Sequence, residues 1–156
     1  MTAAAEPSRL FRPGRPEDAL AIRSILSESN LSAPALGDLG RTARSRIGQV
    51  RTFVCEQNHY LVGLLQWRHL GREAEILDLA VRQDHRRRGL ASFLLQNFLD
   101  HLSHSPVRAI FLEVRESNSA AIALYKKFRF QISGRRPNYY RDPEESALLM
   151  NLLFEA

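Results

Sequence analysis

The sequence predicts an α/β domain built on one central mixed, mostly antiparallel sheet flanked by helices. Three observations predict it. Apolar runs of strand length alternate with segments of helical spacing, in the order strand, helix, several strands, helix, strand, helix, two strands. The run Ala109 to Val114 is nearly continuously apolar, as in a strand covered on both faces. The chain has 156 residues, 44% of them hydrophobic and 25% charged. That is the balance and size of a single compact domain, taken here as residues 1–156.

Leu10-Phe11-Arg12 reads as a short first strand. Pro16-Glu17-Asp18 then opens a helix, with proline pre-set for the first turn and acids near the positive end of the helix dipole. Leu20, Ile22, Ile25 and Leu26 approximate its apolar face. Ser32 to Gly40 contains Pro34, Gly37 and Gly40 and reads as a loop, and Arg41 to Gly48 as a short second helix. Thr52 to Glu56 and Tyr60 to Trp67 form a hairpin around Gln57-Asn58-His59. Glu75 to Val81 is another strand. Leu90 to Leu102 is the clearest helix, with Leu90, Leu94, Phe98 and Leu102 spaced by four. Ala109 to Val114 is a strand and Ala120 to Phe128 a helix. Phe130 to Arg135 and Ala147 to Leu153 are the last strands, joined by a loop containing Asn138-Tyr139-Tyr140.

Composition narrows the function classes. No window has the roughly 20 apolar residues of a membrane span, and Met1 to Arg12 has no apolar stretch of signal-peptide length. A soluble, cytoplasmic protein without membrane partners is expected. Cys55 is the single cysteine, so no intramolecular disulfide exists. It sits in the run Phe53-Val54-Cys55 and reads as a core residue. The 22 Lys and Arg against 17 Asp and Glu give a net charge of +5, which favours an anionic partner without choosing one.

The location of the arginines is more informative. Ile76-Leu77-Asp78-Leu79-Ala80-Val81 is followed by Arg86-Arg87-Arg88-Gly89-Leu90-Ala91, a buried strand running through a basic turn into a helix. Backbone N–H groups at a helix start lack intrahelical partners and carry partial positive charge. Gly89 lets the backbone approach an anion, and small Ala91 keeps the helix entry open. Neighbouring arginines add charge-assisted hydrogen bonds. The combination reads as a diphosphate cradle. A triple arginine elsewhere is more often a solvated charge run; its position between strand and helix decides the reading.

A strand ending in Leu-Ala-Val, then Arg86-x-x-Gly89-x-Ala91, resembles the acetyl-coenzyme A signature of the GNAT superfamily of N-acetyltransferases. Arg12 to Ile22 is similar to the opening strand and helix of that family. The resemblance implies the GNAT fold, with acetyl-coenzyme A as co-substrate and no metal. It implies that the pantetheine arm lies between two splayed strands, Ile76–Val81 and Ala109–Val114. Backbone groups of Leu79, Ala80 and Val81 would hold the pantetheine, and Arg86, Arg87, Arg88, Gly89, Leu90, Ala91 and Ser92 the phosphates. Asn118 matches the family asparagine near the coenzyme. By its own chemistry Asn118 is equally a helix N-cap.

Acetyl transfer to an amine needs a base, an oxyanion site and a proton for the leaving thiolate. An α-amine of pKa near 8 is only about one tenth free base at pH 7. Glu113 interrupts the apolar strand Ala109 to Val114, where a carboxylate is unusual unless paired or functional. It is a candidate base, or the partner of Arg115 or another arginine. Tyr125 is a candidate acid. Ala121, Leu124, Tyr125 and Phe128 also fall at helical spacing, as core residues do. The stretch Leu112 to Tyr125 is similar, almost residue for residue, to RimI-type protein N-terminal acetyltransferases. That likeness implies Glu113 as base and Tyr125 as acid. It also implies that Tyr139 and Tyr140 help close a peptide groove, and that the acceptor is a protein N-terminal amine, possibly on a ribosomal protein. The segment Ser29 to Leu36, on the implied acceptor side, departs from the family's Pro-Trp-Ser-like pattern. Two alternatives stay open on the residues alone: acetylation of a small amine or a lysine, and a nucleic-acid-binding module using Arg86, Arg87, Arg88, Arg135 and Arg136 with Tyr139 and Tyr140.

Overall fold

A computed structural model describes residues 7–29 and 48–155. The expected loop from Ser32 to Gly40, the short helix from Arg41 and most of the segment Ser29 to Leu36 lie outside the described residues. Strand β1 (Arg9–Pro13) leads through a 3-10 turn (Pro16–Asp18) into helix α1 (Ala19–Glu28). Strands β2 (Val50–Gln57), β3 (Tyr60–Leu70) and β4 (Glu73–Val81) follow, then a second 3-10 turn (Gln83–His85) and helix α2 (Leu90–Ser103). Strand β5 (Ala109–Arg115), helix α3 (Ser119–Lys127) and strands β6 (Gln131–Arg141) and β7 (Glu144–Leu153) complete the order. Among the described residues the sheet has seven strands in the order β1-β2-β3-β4-β5-β7-β6. The β4–β5 pairing is parallel, and β1–β2, β5–β7 and β6–β7 are antiparallel. The expected mixed α/β sheet is therefore present. The parallel ladder runs from Glu73↔Ala109 to Ile76↔Leu112; β4 continues to Val81 and β5 to Arg115.

Contacts group the chain into two compact units. The first holds β1, α1, β2 from Arg51, β3 as far as Gln66, β4 from Asp78, and α2 as far as Leu99. Among the described residues, two clusters of its apolar side chains stand out. Cys55, Val62, Val81, Leu90 and Leu94 pack with Leu79 and Phe93; Ile25, Val54, Leu64 and Ala80 pack with Ile22 and Leu26. Successive residues of a strand point to opposite faces, so Val54 and Cys55, like Ala80 and Val81, serve different clusters. Gly63 is needed where it stands: a Cβ there would lie 3.0 Å from the Leu94 side chain and 3.1 Å from the Ala80 carbonyl. Cys55 is fully buried, and burial pushes its thiol pKa up to about 11, in keeping with a core residue rather than a nucleophile.

Three details of the first unit differ from expectation. The acids of Pro16-Glu17-Asp18 do more than face a helix dipole. Arg12 donates to both oxygens of Asp18 (2.8 and 3.0 Å) and to Glu56 (2.9 Å), and Arg15 N–H donates to Asp18 (2.7 Å). These bonds hold the Asp18 carboxyl below its usual range, with Arg12 the main cause. Leu20, assigned to the apolar face, is 78% exposed, whereas Ile22, Ile25 and Leu26 do pack inward. The β2–β3 hairpin closes on Asn58 and His59 alone, both at positive φ (51° and 66°), and Gln57 belongs to β2. That left-handed pair suits the tight two-residue turn.

The second unit holds β5, α3, β6 and β7 with the remaining parts of β3, β4 and α2. Ile110, Leu112, Val114, Ala147 and Met150 are buried along the β5–β7 pair. Asn138-Tyr139-Tyr140 was expected in a loop and instead lies inside β6. The β6–β7 ladder shifts register between Arg136 and Tyr140, and Asn138 has φ 54°. An irregularity of this kind re-aims side chains without ending the strand, and its asparagine reads from sequence like a turn residue.

Candidate functional site

In the first unit, the segment from Leu79 to Ser92 lies as the sequence suggests. Ala80, Val81 and Leu90 are buried, while Arg86, Arg87, Arg88 and Gly89 are exposed. The chain turns by placing Arg87 (φ 61°) and Gly89 (φ 75°) in the left-handed region. α2 then starts at Leu90, and Phe93 N–H donates to the Gly89 carbonyl at 3.0 Å. The N–H groups of the preceding helical residues have no intrahelical acceptor and carry the helix's positive end. A Cβ on Gly89 would meet only Arg9 Nη1, at 4.0 Å. The backbone face there is open enough for an anion to approach.

The arginines of the turn are not alike. Arg86 is tied into the protein: its Nε donates to the Val81 carbonyl (3.2 Å) and its Nη2 to the Glu28 carbonyl (3.5 Å). Glu28 also accepts from Gln83 N–H at 3.1 Å, so the end of α1 braces the turn. The Val81 carbonyl, a backbone group assigned to pantetheine, is thus already used by Arg86. Sequence reasoning missed Arg9. From β1 its Nη2 donates to the Arg88 carbonyl at 2.6 Å and its guanidinium lies 5.8 Å from the Phe93 ring centroid. No local signal marks it, because its partners are remote in sequence.

In the second unit, Glu113 is partly buried on β5, with its side chain 22% exposed. Its Oε1 pairs with Arg136 Nη1 at 3.2 Å. The Tyr139 hydroxyl donates to the same carboxylate. Arg136 in turn lies over the Tyr139 ring, 5.6 Å from its centroid. Burial first, then the bond to Glu113, push the Tyr139 pKa up to about 12, so it remains a proton donor at neutral pH. Tyr140 meets Tyr139 edge to face at 5.0 Å and receives the Arg115 guanidinium at 4.2 Å from its centroid. Arg115 also pairs with Glu145 at 3.3 Å. Of the two arginine partners considered for Glu113, the structure selects the one outside its own strand.

Tyr125 is 6% exposed on α3 and packs on Phe130, ring centroids 5.4 Å apart. The core position expected from its spacing is therefore real. Asn118 caps α3, its Oδ1 accepting from Ala121 N–H at 3.1 Å. Arg135 makes a two-point pair with Glu116 at 3.0 and 3.1 Å. Three of the five arginines assigned to a nucleic-acid surface, Arg86, Arg135 and Arg136, thus have partners within the protein. Among the described residues no cluster of three or more His, Cys, Asp or Glu could hold a metal, and no helix is long and apolar enough to cross a membrane.

A family model for the acetyltransferase (GNAT) family matches residues 21–130. The chain belongs to the acetyltransferase (GNAT) family. Within that family it is 43% identical over 82 residues to the ribosomal protein bS18-alanine N-acetyltransferase of Escherichia coli K12. That stretch covers 51% of this chain and 55% of the relative, so the chain spans about half the length of the curated relatives it matches. A putative enzyme of the same name from Bacillus subtilis 168 is 35% identical over 97 residues, 62% of this chain and 64% of that one. The crystal structure of the Escherichia coli ribosomal-protein-S18-alanine N-acetyltransferase superposes with a TM-score of 0.81 at 28% identity, covering 96% of each chain. The GNAT fold expected from the sequence is borne out.

Proposed function

We propose that the protein transfers an acetyl group from acetyl-coenzyme A to a protein N-terminal α-amine. The observation that carries the reading is the likeness to bS18-alanine N-acetyltransferases in both sequence and whole-chain structure. The open, positive turn supports the donor half. Its left-handed Gly89, free helix-start N–H groups and exposed Arg87 and Arg88 fit a diphosphate. In this reading Arg86 to Ser92 hold the phosphates and Leu79 to Val81 the pantetheine arm, with Arg86 acting as a brace. Asn118 lies beside the coenzyme while capping α3. The bound co-substrate supplies an activated acetyl thioester.

The remaining work falls to side chains of the second unit. Glu113 takes a proton from the acceptor ammonium, through water; the freed amine attacks the thioester carbonyl, the C–N bond forms as the C–S bond breaks, and Tyr125 gives a proton to the departing thiolate. Resting Glu113 is held in place by Arg136 and Tyr139. Tyr139 and Tyr140 line the peptide path. An α-amine is easier to deprotonate than a lysine amine by about 2.5 pKa units, which favours termini. We place the protein in the cytoplasm, where its single buried cysteine needs no oxidising partner. The test is mass spectrometry of a peptide that carries both a free N-terminal alanine and an internal lysine. Acetylation of the terminus is expected, faster than that of the lysine in a terminally blocked control. Acetyl groups mainly on lysine, or activity on small amines only, would overturn the acceptor assignment.

A further inference from the structure

One arginine of the first unit has no role in this scheme. Arg9 is exposed at the start of β1, two residues before Phe11, and strand alternation puts both side chains on one face of the sheet. Phe11 packs into the cluster that holds Leu90, Phe93 and Leu94, so this is the α2 face. The Arg9 guanidinium reaches over Phe93, 5.8 Å from its ring centroid, and Nη2 donates to the Arg88 carbonyl at 2.6 Å. Among the described residues no carboxylate pairs with Arg9, whereas Arg12, Arg82, Arg115 and Arg135 each have one. Its cation is spent on a backbone carbonyl of the turn.

That one hydrogen bond fixes a peptide plane. The Arg88–Gly89 peptide is trans and planar, so its C=O and N–H point in opposite directions. With the carbonyl drawn to the guanidinium, the Gly89 N–H faces away from it. This N–H has no acceptor among the described residues. A cation on the carbonyl also polarises the amide and makes its N–H a stronger donor, as in any chain of hydrogen bonds. Both effects count here, because Arg87 and Gly89 are left-handed and α2 begins only at Leu90. Arg86 braces the turn as well, but at the carbonyls of Val81 and Glu28. The bond from Arg9 falls on the peptide whose N–H is open to an anion. We propose that Arg9 is a positioning residue of the donor site, its bond to the Arg88 carbonyl aiming the Gly89 N–H at a phosphate of acetyl-coenzyme A. The inference rests on the proposed placement of the diphosphate at this turn. Arg9 acts through the peptide, from the side away from the phosphate.

Arg9→Ala removes the bond at an exposed strand position. The expected result by calorimetric titration is an affinity for acetyl-coenzyme A lower by fivefold or more, with the ligand-free melting curve little changed. Arg9→Lys keeps a charge and a donor, and its affinity is expected to lie between the other two. The Gly89 amide signal in nitrogen-15 NMR reads the mechanism. In wild type it should move downfield in the proton dimension when acetyl-coenzyme A is added. In Arg9→Ala it should already differ in the ligand-free protein and should move less. A smaller loss of affinity in Arg9→Ala, or an Arg9→Lys variant no better than Arg9→Ala, would overturn the inference. So would a lower affinity with an unchanged Gly89 response, which would mean direct contact between Arg9 and the ligand. Failure of the underlying placement looks different: wild type would bind acetyl-coenzyme A with the Gly89 signal unmoved, and the positioning role would fall with it.

Discussion

The turn before α2 takes its shape from backbone geometry, with Arg9, Arg86 and Glu28 bracing it, whereas the surroundings of Glu113 are shaped by side chains drawn from two strands. The turn needs left-handed residues at 87 and 89 and a helix that starts at 90; these backbone features lie within one short segment. The Glu113 cluster needs Arg136 and Tyr139 brought from β6 across an irregular ladder. The consequences differ. A backbone cradle is rigid and tolerates little change, because its donors cannot move. The Glu113–Arg136 pair has one partner 56% exposed, and exposed pairs are worth only about 0–1 kcal/mol. Such a pair can orient a carboxylate at rest and give it up to an arriving amine at small cost. Under the proposed function, the comparison teaches that a donor site at the turn would be built to be permanent and acceptor chemistry at Glu113 to be exchangeable.

The largest expected effect comes from breaking the permanent side. Gly89→Glu forces a side chain into φ 75°, at about 1–2 kcal/mol, and places a negative charge where phosphates are proposed to lie. Loss of measurable acetyl-coenzyme A binding by calorimetric titration is expected, while the melting curve stays cooperative. Unchanged affinity would remove the phosphate-cradle assignment.

A smaller effect sharpens the picture of the first unit through pH. Burial on β4 raises the folded pKa of Asp78 from its ordinary 3.8 to about 7. Below the lower value both folded and unfolded chains are protonated and nothing is lost. Between the two, the unfolded chain releases its proton while the folded one keeps it, so stability falls as pH rises. Above about 7 the loss is complete. Asp78→Asn cannot ionise and escapes this. Its melting temperature should gain on wild type from pH 4 to 7 and then run parallel. A difference that stays flat with pH would mean that Asp78 titrates normally.

The same contrast explains what could be read from the sequence. Helix α2 was legible because Leu90, Leu94, Phe98 and Leu102 are all buried on one stripe. The basic turn was legible because strand, arginines, glycine and helix follow one another in the chain. Glu113 stood out as a charge in an apolar run, yet its partner could not be chosen, since nothing local distinguishes Arg136 from Arg115. Arg9 gave no signal for the same reason. Tyr139 and Tyr140 were misplaced because Asn138 in a left-handed conformation mimics a turn, while the ladder with β7 resumes at Tyr140. Asp78 was passed over as part of a strand motif; only its burial sets it apart.

The central claim is that Glu113 is the base and that its removal spares the donor cradle. The most direct measurement is the pH–rate profile of Glu113→Gln beside acetyl-coenzyme A affinity. The account predicts a fall in kcat of about 10²-fold at pH 7, with affinity for acetyl-coenzyme A unchanged and a deficit that shrinks as pH rises and the acceptor amine loses its own proton. Wild-type kcat at pH 7 in the variant would contradict it and leave Glu113 as the structural partner of Arg136 and Tyr139.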